Sequence, residues 1–171
     1  MVAPRMHLQS DSRRAAGPNE RRFESRSYAF RRIYMGDGLR STDVLIVEDN
    51  PAEVRFLYEV FQICSVQARL TCARDGDEAI QTLADGSYTP DLIILDLRLP
   101  KTDGLGVLRS VRANARTQDV PVVMLTSSAF EFDMERAYLS QANAYIVKPV
   151  GLDEYVSVIR AICRDWLNCH R

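Results

Sequence analysis

Leu92-Ile93-Ile94-Leu95-Asp96-Leu97-Arg98-Leu99-Pro100-Lys101-Thr102-Asp103-Gly104 is the stretch on which the reading of this chain turns. Four apolar residues run without interruption into one aspartate, and a Leu-Pro turn and a glycine follow. A continuous apolar run bounded by turn residues fits a strand buried on both faces, as in a parallel sheet. Asp96 then falls at the strand's carboxyl end, the edge of an open α/β sheet where ligands bind.

The same punctuation recurs on both sides of this stretch. Upstream, Val44-Leu45-Ile46-Val47 ends in Glu48-Asp49, and Asn50-Pro51 reads as a helix cap followed by its first residue. Glu53, three residues after Asn50, has capping-box spacing. Val54, Leu57, Tyr58 and Phe61 follow at helical spacing. Ala68 to Ala73 predicts a second strand, and Glu78 to Leu83 a short helix after the Asp75-Gly76 turn. Downstream, Gly104 to Ala113 predicts a helix with Leu105, Leu108 and Val111 inward. Pro121 to Leu125 predicts a strand ending at Thr126. Ala129 to Leu139 is a helix with a weak apolar stripe, since Phe130, Phe132, Met134 and Tyr138 cannot all face inward. Ala144 to Val147 is a fifth strand, ending in Lys148-Pro149. A last helix from Leu152 carries Tyr155, Val156, Ile159, Ile162, Cys163 and Trp166 on one face. Five strands alternating with five helices predict an α/β fold, a doubly wound five-stranded parallel sheet with right-handed crossovers.

The chain has 171 residues, 46% of them apolar and 26% charged, ordinary values for a globular protein. No apolar run approaches the roughly 20 residues that span a bilayer, and no secretory signal is visible at the N-terminus. Cys64, Cys72, Cys163 and Cys169 have no C-x-x-C spacing, and His7 and His170 are the only histidines. A zinc site is therefore not expected, and reduced thiols in a cytoplasmic protein are. The net charge of −1 hides an asymmetry: residues 1–40 carry nine Arg and four acids, so the remainder is strongly acidic. Residues 1–40 lack a sustained apolar period and read as a disordered basic extension. Four readings of it compete: a solvated tail, a non-native stretch with translation starting at Met35, an arm for nucleic acid or an acidic surface, and a transit peptide.

Glu48-Asp49, Asp96, Thr126 and Lys148 all end apolar runs, and in a parallel sheet they share one edge. Three carboxylates brought together resist ionisation. A hard divalent cation relieves this, and Mg²⁺ suits a site with few carboxylates and several waters. With the Lys148 ammonium, such a site suits an incoming phosphoryl group, whose transfer depends on neutralising its oxygens. Aspartate is a phosphoryl nucleophile. No G-x-x-x-x-G-K-[ST] loop is present, which counts against nucleotide binding.

The four motifs Val44–Asn50, Leu92–Gly104, Val122–Ser128 and Ala144–Val150 together resemble the receiver domain of two-component response regulators, over Asp43 to about Trp166. The resemblance implies a flavodoxin-like (βα)5 receiver at 41–168 with strand order 2-1-3-4-5. It implies that Asp96 is the phosphoacceptor, with Glu48, Asp49, Asp96 and the backbone carbonyl of Arg98 around Mg²⁺. It makes Thr126 and Tyr145 switch residues, Lys148 the ion-pair lysine, and Lys148-Pro149 a cis candidate. Ser127 and Arg98 would govern donor access, and Arg98 with Ser128 the phosphoryl lifetime. The implied partners are a histidine kinase and a downstream protein or phosphotransfer partner, with no direct nucleic-acid contact through the domain. The implied protein is not an enzyme beyond its own phosphotransfer and autodephosphorylation. The Leu-Pro-Lys-x-Asp-Gly loop and Asp165-Trp166-Leu167 are similar to stand-alone regulators of phytochrome-type kinases, in which a homodimer could use Trp166; otherwise Trp166 caps the core. With no second domain expected, output falls to the face of the fourth helix, fifth strand and fifth helix. Two other classes stay in view: a binding module independent of phosphorylation, and an aspartyl-phosphate hydrolase.

Overall fold

The computed structural model describes residues 42–167. The expectations for residues 1–40, for a start at Met35, and for Cys169 and the two histidines lie outside the described residues. The elements are β1 (Thr42–Val47), α1 (Pro51–Ile63), β2 (Ala68–Ala73), α2 (Gly76–Ala84), β3 (Leu92–Leu95), α3 (Gly104–Ala113), β4 (Val122–Thr126), α4 (Glu131–Leu139), β5 (Ala144–Val147) and α5 (Leu152–Trp166). All neighbouring strands pair in parallel, in the order β2-β1-β3-β4-β5.

The apolar runs are buried on both faces because helices cover both. Alternate residues go to opposite sides of the pleat. Leu45, Val47, Ile93, Leu95, Val122 and Met124 pack with α2, α3 and Ala137 of α4. Val44, Ile46, Leu92, Ile94, Val123 and Leu125 pack with α1 and α5. The register pairs Val47 with Leu95. The residues just past β1 and β3, Glu48 and Asp96, therefore emerge side by side.

Several boundaries differ from the sequence reading. β1 begins at Thr42 because Asp43 is tied to Arg69, its register partner on β2. α2 begins at Gly76, since the Asp75 side chain accepts from the Glu78 N–H at 2.9 Å and caps it. α4 begins at Glu131; Phe130 is extended and offers no side-chain cap. Gly104 opens α3 where only glycine fits. A Cβ there would lie 2.2 Å from the Asp96 carbonyl oxygen and 2.8 Å from Leu97 Cα.

Candidate functional site

The carboxyl edge of the sheet collects the charged strand ends. Glu48 and Asp96 are buried, 3% and 6% exposed, while Asp49 is open to solvent. Glu48, Asp49 and Asp96 each bring a carboxylate oxygen within 4.8 Å of the others. Oxygen-only donors in a group of three, one solvent-facing, match a hard cation that keeps several waters.

Lys148, just past β5, reaches across the edge into this group. Its Nζ donates to Glu48 Oε2 at 2.7 Å, to Asp96 Oδ2 at 3.1 Å and to Glu53 Oε2. Burial alone pushes the ammonium towards neutrality. Its bonds to Glu48 and Glu53 and the charge of Asp96 outweigh that and hold its pKa well above the ordinary lysine value. Glu48 moves up: burial raises it, and the Lys148 bond and the Asn50 N–H offset part of the rise. Asp96 Oδ1 accepts from the Leu97 N–H at 2.6 Å and, more weakly, from Arg98 N–H at 3.4 Å. These backbone bonds aim the carboxylate, and the second oxygen faces Lys148. Beneath the cluster Tyr155 is edge-on to Phe56, ring centroids 4.9 Å apart. Burial pushes its phenol up to about 12.

A second network starts from the end of β4. Thr126 is fully buried, and its Oγ1 accepts from the Ser128 N–H at 3.3 Å. Ser128 Oγ donates to Asp133 Oδ2 at 2.6 Å, and its carbonyl accepts from the Tyr145 hydroxyl at 3.0 Å. Arg98 Nη2 is 3.9 Å from the same Asp133 oxygen. Ser128 thus joins Thr126, Tyr145 and the first turn of α4 through three different atoms. Ser127 and the Arg98 side chain are exposed.

Glu48, Asp49, Asp96 and Lys148 come together as the sequence reading expected. Thr126 and Tyr145 are joined to each other through Ser128. Trp166 is not with them. α5 starts at the site edge, and its 15 residues carry the chain about 22 Å away, where Trp166 packs half-buried against its own core. Two expectations are corrected. Glu53 forms no capping box: the Asn50 N–H donates to Glu48 Oε1 at 3.1 Å instead, because Lys148 draws one Glu53 oxygen towards the sheet edge and leaves the other to the Asn50 side-chain amide. The Lys148-Pro149 bond is trans, as are all peptide bonds among the described residues. Trans is the intrinsic preference even before proline. Glu53 itself was missed as a site residue. Its signal was an acid one turn into the helix that follows the acidic pair, a position over the same sheet edge.

The model of the response regulator receiver domain matches residues 44–160. The probable methanogenesis regulatory protein FilR2 of Methanothrix harundinacea is 34% identical over 143 residues, covering 80% of this chain and 92% of the relative. Response regulator Rcp1 of Synechocystis is 35% identical over 130 residues, covering 73% and 88%. The crystal structure of its Mn²⁺-bound form superposes with a TM-score of 0.68 at 34% identity, over 76% of this chain and 97% of that one. The phosphorylated cyanobacterial phytochrome response regulator RcpA superposes with a TM-score of 0.71 at 32% identity, over 77% and 98%.

Proposed function

Since this chain belongs to the response regulator receiver family of two-component systems, we propose that it takes a phosphoryl group onto Asp96 from a histidine kinase and passes the change to a protein partner. The observation that carries this reading is the Asp96 carboxylate, buried, aimed by backbone N–H groups and faced by Lys148. A carboxylate oxygen of Asp96 attacks phosphorus. The bond from phosphorus to the donor nitrogen breaks, and the electron pair leaves with the imidazole. Glu48, Asp49, Asp96 and the Arg98 carbonyl would hold Mg²⁺, which supplies positive charge to the phosphoryl oxygens when bound. Lys148 neutralises a further share, and the Thr126 hydroxyl donates to a phosphoryl oxygen. Small, exposed Ser127 leaves the donor room, and Arg98 bears on how long the group persists.

Thr126 cannot turn towards Asp96 without disturbing the Ser128 N–H, and Ser128 holds both Tyr145 and Asp133. The change therefore spreads to α4 and β5 as a shift between two loop arrangements. The elements it reaches carry exposed apolar side chains: Phe130 is 69%, Phe132 66% and Leu139 78% exposed in and before α4, and Val147 of β5 is exposed as well. That is the character of a protein-binding face. Likeness to RcpA supports a phytochrome-type kinase as the donor, and a cytoplasmic site of action goes with such a donor. No helix among the described residues is long and apolar enough to cross a membrane.

Incubation with acetyl phosphate and Mg²⁺, read by intact mass, tests the reading. One phosphoryl group added to the wild type, dependent on Mg²⁺ and absent from Asp96→Asn, is the expected result. A folded wild type that gains nothing overturns it in favour of a module that binds without phosphorylation.

A further inference from the structure

An ammonium has three N–H donors, and all three of Lys148 are taken by carboxylates: Glu48, Asp96 and Glu53. Two of these acids belong to the acidic group at the sheet edge; Glu53 does not. Neither is Glu53 needed to cap α1, because the Asn50 side chain accepts from the Ala52 N–H at 3.0 Å and the Asn50 N–H goes to Glu48. Glu53 is nonetheless fixed at both oxygens. Oε1 accepts from Asn50 Nδ2 at 3.3 Å, and Oε2 takes the ammonium. Of the Lys148 contacts, the one to Asp96 is the longest. The side chain of Glu53 is 38% exposed against 3% for Glu48. Glu53 is thus the partner that can give up Lys148 without leaving a buried, unpaired charge.

We propose that Glu53 is a positioning residue that holds the Lys148 ammonium back from Asp96 and so limits how tightly the site grips a phosphoryl group. The inference rests on the reading of Asp96 as phosphoacceptor. A phosphoryl oxygen at Asp96 competes with Glu53 for the same N–H donors. The grip on the group reflects the difference between those two contacts, not the strength of the new one alone. Asn50 belongs to the device, since its amide fixes the Glu53 oxygen that Lys148 does not use.

Beryllofluoride with Mg²⁺, titrated calorimetrically into the full chain, is a probe that needs no phosphoryl donor. Glu53→Gln is expected to bind it about fivefold more tightly than wild type, the scale of one half-exposed charge-assisted bond. Glu53→Asp keeps the charge but loses the reach, and is expected to follow Gln rather than wild type. In a Lys148→Met background Glu53→Gln is expected to change nothing. A Kd unchanged or weakened in Glu53→Gln overturns the proposal. So does Glu53→Asp matching wild type, or the same tightening without Lys148, since each would reduce Glu53 to a through-space charge. A wild type that binds no beryllofluoride overturns the phosphoacceptor reading together with this one, whereas wild-type binding with no Glu53 effect overturns this one alone.

Discussion

Two aspartates are buried at opposite edges of the same sheet, and they are treated differently. Asp43, 4% exposed at the start of β1, offers both carboxylate oxygens to one guanidinium, Arg69 Nε and Nη2. Asp96, 6% exposed past the end of β3, has backbone N–H groups on one oxygen and a shared lysine on the other. A guanidinium fork satisfies a carboxylate in a fixed plane and leaves it little to do. Around Asp96 the acids outnumber the one ammonium: Glu48, Asp49 and Glu53 stand with it against Lys148. Burial alone does not distinguish a reactive carboxylate from a structural one. The distinction lies in whether the surroundings close its charge or leave a local excess that a cation and a phosphoryl group can complete.

The largest effect should come from the backbone that carries Asp96. Gly104→Ala would drive a methyl group into the Asp96 carbonyl and Leu97 Cα. Overpacking against main chain has no soft side chain to absorb it, so a loss of about 3 kcal/mol is expected in urea unfolding. Phosphoryl uptake should fall with it, because the strand end moves. Gly151→Ala is the control. A Cβ at the N-cap of α5 meets nothing within 4 Å, and stability there should stay within about 0.5 kcal/mol. Equal losses at the two glycines would mean that the close approach at Gly104 is not what holds the site.

The two aspartates themselves should separate stability from chemistry. Asp43→Asn removes the charge and one of the fork's two acceptor oxygens and is expected to cost about 1–2 kcal/mol, moderated because Arg69 returns to water. Phosphoryl uptake at the far edge should be untouched. Asp96→Asn is expected to leave stability level or raise it by up to about 1 kcal/mol, because Lys148 retains Glu48 and Glu53 and a buried charge is gone. Urea midpoints and intact mass on the same two proteins make the comparison. A destabilised Asp96→Asn with a level Asp43→Asn would invert the contrast.

Much of this is legible in the sequence. Leu92–Leu95 and Val122–Leu125 announce a sheet covered on both faces because a half-exposed strand would alternate. Glu48, Asp96 and Lys148 were legible because a charged residue directly after such a run has to meet a partner at the sheet edge. What was hidden depended on which of two partners wins. The Glu53 spacing fits a capping box equally well, and only the arrival of Lys148 from a point 95 residues further on turns it away. Trp166 lies on the apolar face of α5 in either reading, and spacing does not say whether that position meets its own core or another molecule. The sequence marks Ser128 only as a position that bears, with Arg98, on the phosphoryl lifetime. Its part as a junction comes from tertiary contacts to Asp133 and Tyr145.

A third aspartate extends the comparison to the surface. Asp75 caps α2, and its other oxygen takes the Lys101 ammonium at 2.6 Å, tying α2 to the loop that follows β3. Lys101 stands there at φ +63°, a left-handed conformation uncommon for residues other than glycine. The Lys101 bond and the Glu78 N–H hold the Asp75 carboxyl below the usual carboxylate value. A group whose pKa is depressed on folding adds stability that is fully present above its unfolded-state pKa, near 4. That share is lost as the pH falls through the lower, folded value. Asp75→Asn should therefore differ little in its pH slope from wild type above about pH 5. Below about pH 4 its thermal midpoint should fall less steeply than that of wild type, because it has no such proton to take up. The effect should be the smallest of the three aspartates, since Asp75 is less deeply buried than Asp43 and Lys101 reaches it with a single ammonium from solvent, where water and salt screen the pair. Raising the salt concentration should shrink the difference between the two acid limbs by a larger fraction than the Asp43→Asn deficit, because the Asp43 carboxylate is more deeply buried and held at both oxygens. If salt eroded both alike, burial would not be what separates Asp43 from Asp75.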